Sequence, residues 1–231
     1  MLKKPIFTTS AALAVCVCVG SVQASLNMSM AVNGLGAWSD SSVGGVFNQT
    51  GISDFGNTWT LDISILSNED PNMSSEITLV NNTGADALFT ITATSSIIPI
   101  VGPTFVGGSV GGGFTNLGFV GPANVSAPAG GSLFTGLIDG VSALTLHDDP
   151  SSWTAALPFS SAVIPSASSG LPATNPGPIG ATTEFSIVLS FNLSDGDSIS
   201  LTSFFNIVPT PGAAGLLVVA GLFGRRRRRT R

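Results

Sequence analysis

The sequence predicts an all-β fold: a β-sandwich, Ig-like or jelly-roll-like, set between an N-terminal signal peptide and a short C-terminal transmembrane helix. Three observations predict it. Several segments alternate apolar and polar residues with period two, as a strand with one buried side requires. Gly, Asn, Asp and Pro recur between those segments, where chain reversals need them. Strong helix-forming runs are almost absent from a chain rich in Gly, Ser, Thr, Asn and Val. The expected organisation is a signal peptide over 1–24, a sandwich ectodomain over 25–207 and a sorting tail over 208–231.

The first segment carries Lys3 and Lys4, then the apolar run ALAVCVCVG, then VQA at 22–24. A positive start, an apolar middle and small residues before a cut site are the parts of a secretory signal. The cut is expected between Ala24 and Ser25. The apolar run is short for a bilayer span. Cys16 and Cys18 are the only cysteines. Both leave with the signal, so the mature domain has no disulfide and no thiol chemistry.

Alternation then marks the strands. WTLDISIL (59–66) places Trp59, Leu61, Ile63 and Ile65 on one face. EFSIVLSFNL (184–193) does the same with Phe185, Ile187, Leu189, Phe191 and Leu193, and SISLTSFFNI (198–207) with Ile199, Leu201, Phe205 and Ile207. Asp195-Gly196 lies between the last two runs and predicts a hairpin. A second hairpin is expected around VNNTGAD (80–86), joining 76–80 to 87–94, where Phe89, Ile91 and Ala93 share a face. Weaker strand signals cover 26–32, 105–110, 133–138 and 141–146. Eight to ten short strands follow from this count. GGSVGGG (107–113) reads as a flexible turn or a bulge. The Ser-, Ala-, Pro- and Gly-rich stretch 160–183 reads as a long surface loop.

Charge narrows the function classes. All 13 acidic residues lie between Ser25 and Gly224, where there is no Lys or Arg, so that interval carries a formal charge of −13. Such a domain repels nucleic acid, whose binding rests on Lys and Arg. Its negative surface favours solubility and attracts cations.

Few residues offer chemistry. Ser109 sits in a G-x-S-x-G pattern, with Asp139 and His147 following in hydrolase order. A nucleophile elbow needs a strand, a sharp turn and a helix, yet Gly112, Gly113 and Phe114 follow, so a glycine-rich turn is the expectation and no catalytic residue is assigned. His147, Asp148 and Asp149 precede Pro150 and read as a turn after a strand; as a metal set, adjacent residues on a strand point to opposite faces. Asp195 and Asp197 are weak calcium candidates, since calcium takes several oxygens from flexible loops; a plain turn is the simpler reading. No other cofactor is expected. Trp59 belongs to the core by its phase. Trp38 and Trp153 fall in loop-like context, and exposed rings there would suit a sugar-binding module.

The tail holds nearly all the positive charge. Residues 212–224 carry no charge, and Arg225, Arg226, Arg227, Arg228 and Arg229 follow, with Arg231. As a helix, 207–224 would span about 27 Å, slightly under the hydrocarbon thickness of a bilayer, with Pro209 and Pro211 breaking its start. The arginines would hold the C-terminus in the cytoplasm.

Val208, Pro209, Thr210 and Pro211, the apolar run and the terminal arginine cluster together resemble the PEP-CTERM sorting signals of Gram-negative bacteria. Thr210 stands where that family has Glu. The resemblance covers the last 24 residues. It implies export, processing by signal peptidase, transient residence in the membrane, and recognition by an exosortase-type membrane transpeptidase. That enzyme cuts near the motif and passes the protein to the cell surface. Such proteins occur in bacteria that make exopolysaccharide. The expected function is a structural or adhesive, non-catalytic role in the envelope, at the cell surface or in the extracellular matrix. A carbohydrate-binding module for exopolysaccharide is the alternative, and a secreted hydrolase the remoter one.

Overall fold

In the computed structural model, which describes residues 25–68, 71–118 and 121–210, fifteen strands form two antiparallel sheets packed as a sandwich, with no helix. In chain order they are β1 (Ser25–Val32), β2 (Leu35–Val43), β3 (Val46–Ser53), β4 (Trp59–Asn68), β5 (Asn72–Asn81), β6 (Ala87–Ser96), β7 (Ile100–Thr115) and β8 (Ala123–Ser126). There follow β9 (Ser132–Ile138), β10 (Val141–Asp148), β11 (Ser152–Ala155), β12 (Ser161–Ser169), β13 (Asn175–Ala181), β14 (Glu184–Leu193) and β15 (Ser198–Pro209). The first sheet runs β10-β9-β14-β6-β1-β2, with β8 on β14 and β11 on β8. The second runs β12-β7-β15-β5-β4-β3, with β13 beside β12 along the same edge of β7.

Alternation places the core where the sequence predicts it. Trp59, Leu61, Ile63 and Ile65 are buried, as are Phe89, Ile91 and Ala93. Phe185, Ile187, Leu189, Phe191 and Leu193 are buried on the same sheet as β6, and Ile199, Leu201, Phe205 and Ile207 on the same sheet as β4. Burying a side chain of this size contributes roughly 1.5–3 kcal/mol. Phe205 contacts Phe134 and Phe185 of the opposite sheet, ring centroids 6.4 Å apart in both pairs. Gly136 permits that contact, because a Cβ there would lie 2.5 Å from the Phe205 ring.

Four expectations are corrected. The described residues form fifteen strands rather than eight to ten, because short polar edge strands pair without strong alternation. The stretch 160–183 holds β12 and β13. Both pair with β7 through bulged ladders, and an edge strand tolerates the Pro and Gly that a central one would not. The segment 107–113 is the middle of β7, neither turn nor bulge. Its glycines admit neighbours at close range: a Cβ on Gly108 would meet Leu144 at 2.8 Å, and one on Gly111 would meet Ser166 at 3.0 Å.

The fourth correction concerns the two predicted hairpins. Residues 82–86 join β5 of the second sheet to β6 of the first, and 194–197 join β14 of the first to β15 of the second. Both connections are arches that cross the core. Two-residue hairpins occur instead at Asn33-Gly34, between β1 and β2, and at Asp139-Gly140, between β9 and β10. In both, the two turn residues have positive φ (52° and 78°; 49° and 78°), as a right-twisted hairpin requires. At the 194–197 arch only Gly196 does.

Candidate functional site

Ser109 lies on the outward side of β7, opposite Phe204 of β15 and Ser168 of β12. It opens onto a shallow groove of about 560 Å³ lined also by Ser74, Ser166, Thr202 and Phe204, with no His, Asp or Glu among the lining residues. Among the described residues no helix follows it. The other two members of the hydrolase pattern are committed elsewhere. His147 Nε2 donates to the Pro165 carbonyl at 2.8 Å, and its ring meets Trp153 edge-on at 4.9 Å. This contact joins β10 to β12 and closes one side of the sandwich.

Asp139 follows β9. Its carboxylate accepts from Thr182 N (2.8 Å), Thr183 N (2.8 Å) and Glu184 N (3.1 Å), and from both threonine hydroxyls. Partial desolvation works to raise its pKa, but these donors outweigh it and hold the group well below the usual carboxylate range. Asp139 is therefore a structural clamp between the β9–β10 hairpin and the start of β14.

The DDP segment is a turn, as expected. Asp148 Oδ1 accepts from Ser132 Oγ at 2.6 Å, and Asp149 Oδ2 from Gly130 N at 3.0 Å. Trp38 and Trp153 are not free platforms. Trp38 is in β2, half-buried against the core, its ring 5.9 Å from that of Phe47. Trp153 is in β11 and also packs on the core. Their loop-like composition reflects polar edge strands. Trp59 is 3% exposed.

The calcium candidates sit where the two arches meet. Asp86, Asp195 and Asp197 line one cleft with Asn116, Asn124 and Ser194. The Asp195 carboxylate accepts from Gly84 N at 2.8 Å, and Asp86 Oδ1 from Asp195 N at 3.3 Å. Asp197 is buried, and its Oδ1 accepts from Leu117 N at 3.1 Å. Its carboxyl is pushed up first by burial; bonds from Leu117 and Gly118 oppose this, and the charges of Asp195 and Asp86 reinforce it. Among the described residues no three or more His, Cys, Asp or Glu side chains are grouped to hold a metal.

A raised carboxyl pKa makes ionisation oppose folding. The Asp197 contribution is therefore most favourable below the ordinary aspartate value of about 4 and declines as pH rises through the folded-state value. Asp197→Asn, which keeps the oxygen facing Leu117, should raise Tm at pH 7 and lose that advantage near pH 3. Thermal melts of both forms check this. A lower Tm for the variant at pH 7, together with a calcium-induced rise confined to wild type, would assign the carboxylate to cation binding instead.

Ser25 opens β1, its N–H donating to Ser96 Oγ at 3.0 Å. Val208 and Pro209 end β15, and Thr210 is held by two 3.0 Å bonds, from N–H and Oγ1, to the Pro103 carbonyl. Ala24, Pro211 and Arg225 to Arg229 lie outside the described residues, as do the expected signal peptide and C-terminal helix. No helix among the described residues is long and apolar enough to cross a membrane. Compared with known proteins, the chain matches no family model and no curated protein.

Proposed function

We infer that the protein is an exported, non-catalytic β-sandwich with a structural or adhesive role at the cell surface or in the extracellular matrix, delivered there by residues 208–231. The observation that carries the reading is that the described sandwich fills the interval between the two sequence signals. β1 includes Ser25, the residue expected to follow signal cleavage, and β15 includes Val208 and Pro209 of the Val208-Pro209-Thr210-Pro211 motif. Only Pro211 separates the pinned Thr210 from the uncharged run 212–224 and its arginines. The partners this implies are signal peptidase, an exosortase-type transpeptidase and, transiently, the membrane.

The non-catalytic reading is supported by the dispersal of Ser109, Asp139 and His147 into separate structural contacts. Within the sandwich class we favour the jelly-roll-like form. The orders β5-β15-β7-β12 and β6-β14-β9-β10, with crossings at β5–β6, β6–β7 and β14–β15, support it. In that description β1–β4 extend the two sheets. The fold alone carries no function.

Intact mass of the protein recovered from the cell surface tests the sorting reading. Residues 1–24 and the arginines should be missing, and the cut should fall after Thr210, because the backbone before it is committed to the β7 ladder. Deleting 225–229 should abolish processing and surface display. Unchanged processing and location in that deletion would end the reading.

A further inference from the structure

The acidic residues are not spread evenly over the sandwich. Strands β7, β12, β13 and β15, which form one half of the second sheet, contain no charged residue, although the exported interval carries −13. Their outward side is unusually apolar at one end. The ladder sets Val208 of β15 opposite Phe105 of β7, and Phe105 opposite Pro176 of β13. The next row sets Ile179 opposite Pro103. Val101 extends the patch; it is 96% exposed and Ile179 is 85% exposed. Large apolar side chains left in water on a contiguous surface mark a contact that the isolated domain does not make.

The position of this patch says what covers it. Thr210 is bonded to Pro103 within the patch itself, and in the sequence the uncharged run 212–224 begins after one further residue. A domain tethered by one residue cannot stand off from whatever that run inserts into. Whichever surface faces the bilayer must also tolerate headgroups, which are often anionic. A patch of aliphatic side chains and prolines without carboxylates meets both demands.

We propose that the outward end of β7, β13 and β15, centred on Val101, Ile179 and Val208, rests on the lipid surface around the point where the C-terminal segment enters it. The domain is then seated on the membrane in one orientation, with the two arches and the acidic cleft elsewhere on the molecule. Seating also places Thr210 at the interface, where a membrane-embedded transpeptidase works. The proposal rests on the membrane reading of 212–224.

The test uses residues 25–231, the form expected after signal cleavage and free of native cysteine, carrying a single added cysteine labelled with nitrobenzoxadiazole. Ile179→Cys places the label in the patch. Phe55→Cys, fully exposed between β3 and β4 at the opposite edge of the second sheet, is the control. Vesicles contain phosphatidylethanolamine and phosphatidylglycerol, with or without doxyl-labelled lipid, and flotation reports binding independently. The expected result is flotation of both forms, a several-fold rise in emission at position 179 that doxyl lipid quenches, and no change at position 55. Flotation without a change at position 179 overturns the seating and leaves the membrane tail standing. Equal changes at both positions overturn the patch assignment. A label at 179 that is already bright and blue-shifted without vesicles shows that the chain's own tail covers the patch, and overturns the proposal. No flotation overturns both the seating and the tail reading.

Discussion

Gly112→Ala is expected to cost about 3 kcal/mol or more of folding free energy, because the new methyl group has only backbone to meet. A Cβ at this position points at the Ser200 carbonyl and lies 3.0 Å from Leu201 Cα, both in β15. A flexible side chain would swing away; a paired strand cannot. The β7–β15 ladder runs in register from Thr104 opposite Pro209 to Thr115 opposite Ser198, so a shift at Gly112 disturbs the central pairing of the second sheet. The measured effect should be a fall in Tm of about 6–12 °C. Ser109→Ala, three residues away on the same strand, is the control. Its side chain faces the open groove, and the change should stay within about 1 kcal/mol. It should also leave any esterase background unaltered. A Gly112→Ala protein melting within a degree or two of wild type would mean that β7 and β15 do not pack as described.

The same glycines show where the sequence misleads. Read locally, GGSVGGG has no side chains to alternate, so period-two analysis finds nothing and turn chemistry takes over. The reason for the glycines is not local. It lies in Leu144, Ser166 and β15, brought alongside from distant parts of the chain. The faces of β4, β6, β14 and β15 were legible because each strand states its own burial pattern in its own residues. The arches were not. Two strands joined by a hairpin and two joined by an arch both alternate, and Asp-Gly suits either reversal. The partner sheet is decided by which strands compete for the same edge, and no stretch of this length records that. Of the candidate site residues, Ser109, Asp139 and His147 were separated by topology, while Asp195 and Asp197 were joined by Asp86 of the other arch. That meeting follows only once β5–β15 and β6–β14 are known to be neighbours.

Asn81 decides how firmly those two arches are joined. It ends β5, is 0% exposed, and is saturated with partners. Its Nδ2 donates to the carbonyls of Leu193 (2.8 Å) and Ala85 (3.0 Å), and its Oδ1 accepts from Thr83 N (3.0 Å) and Thr83 Oγ1 (2.8 Å). Its own N–H donates to the Asp197 carbonyl at 2.9 Å, and its carbonyl accepts from Gly196 N at 2.7 Å. One side chain thus ties the 82–86 arch to the last residue of β14. Asn81→Ala removes four bonds and leaves buried groups without partners, each missing bond costing about 1 kcal/mol, so a loss of roughly 4 kcal/mol is expected. Urea denaturation should show a lower midpoint with an unchanged m value, since the same surface is exposed on unfolding. Thr83→Ala, which loses only the hydroxyl bonds at the edge of the network, should cost about 1 kcal/mol. Asn81→Asp separates hydrogen bonding from shape. At pH 7 its carboxylate would face the Leu193 and Ala85 carbonyls without a proton to offer, and the variant should be the least stable of the three. Burial raises the pKa of that carboxyl, so lowering the pH through it restores a donor and part of the stability. A variant whose deficit instead stays constant from pH 7 to pH 4 would show that packing, and not the amide's two donated bonds, holds the arches together.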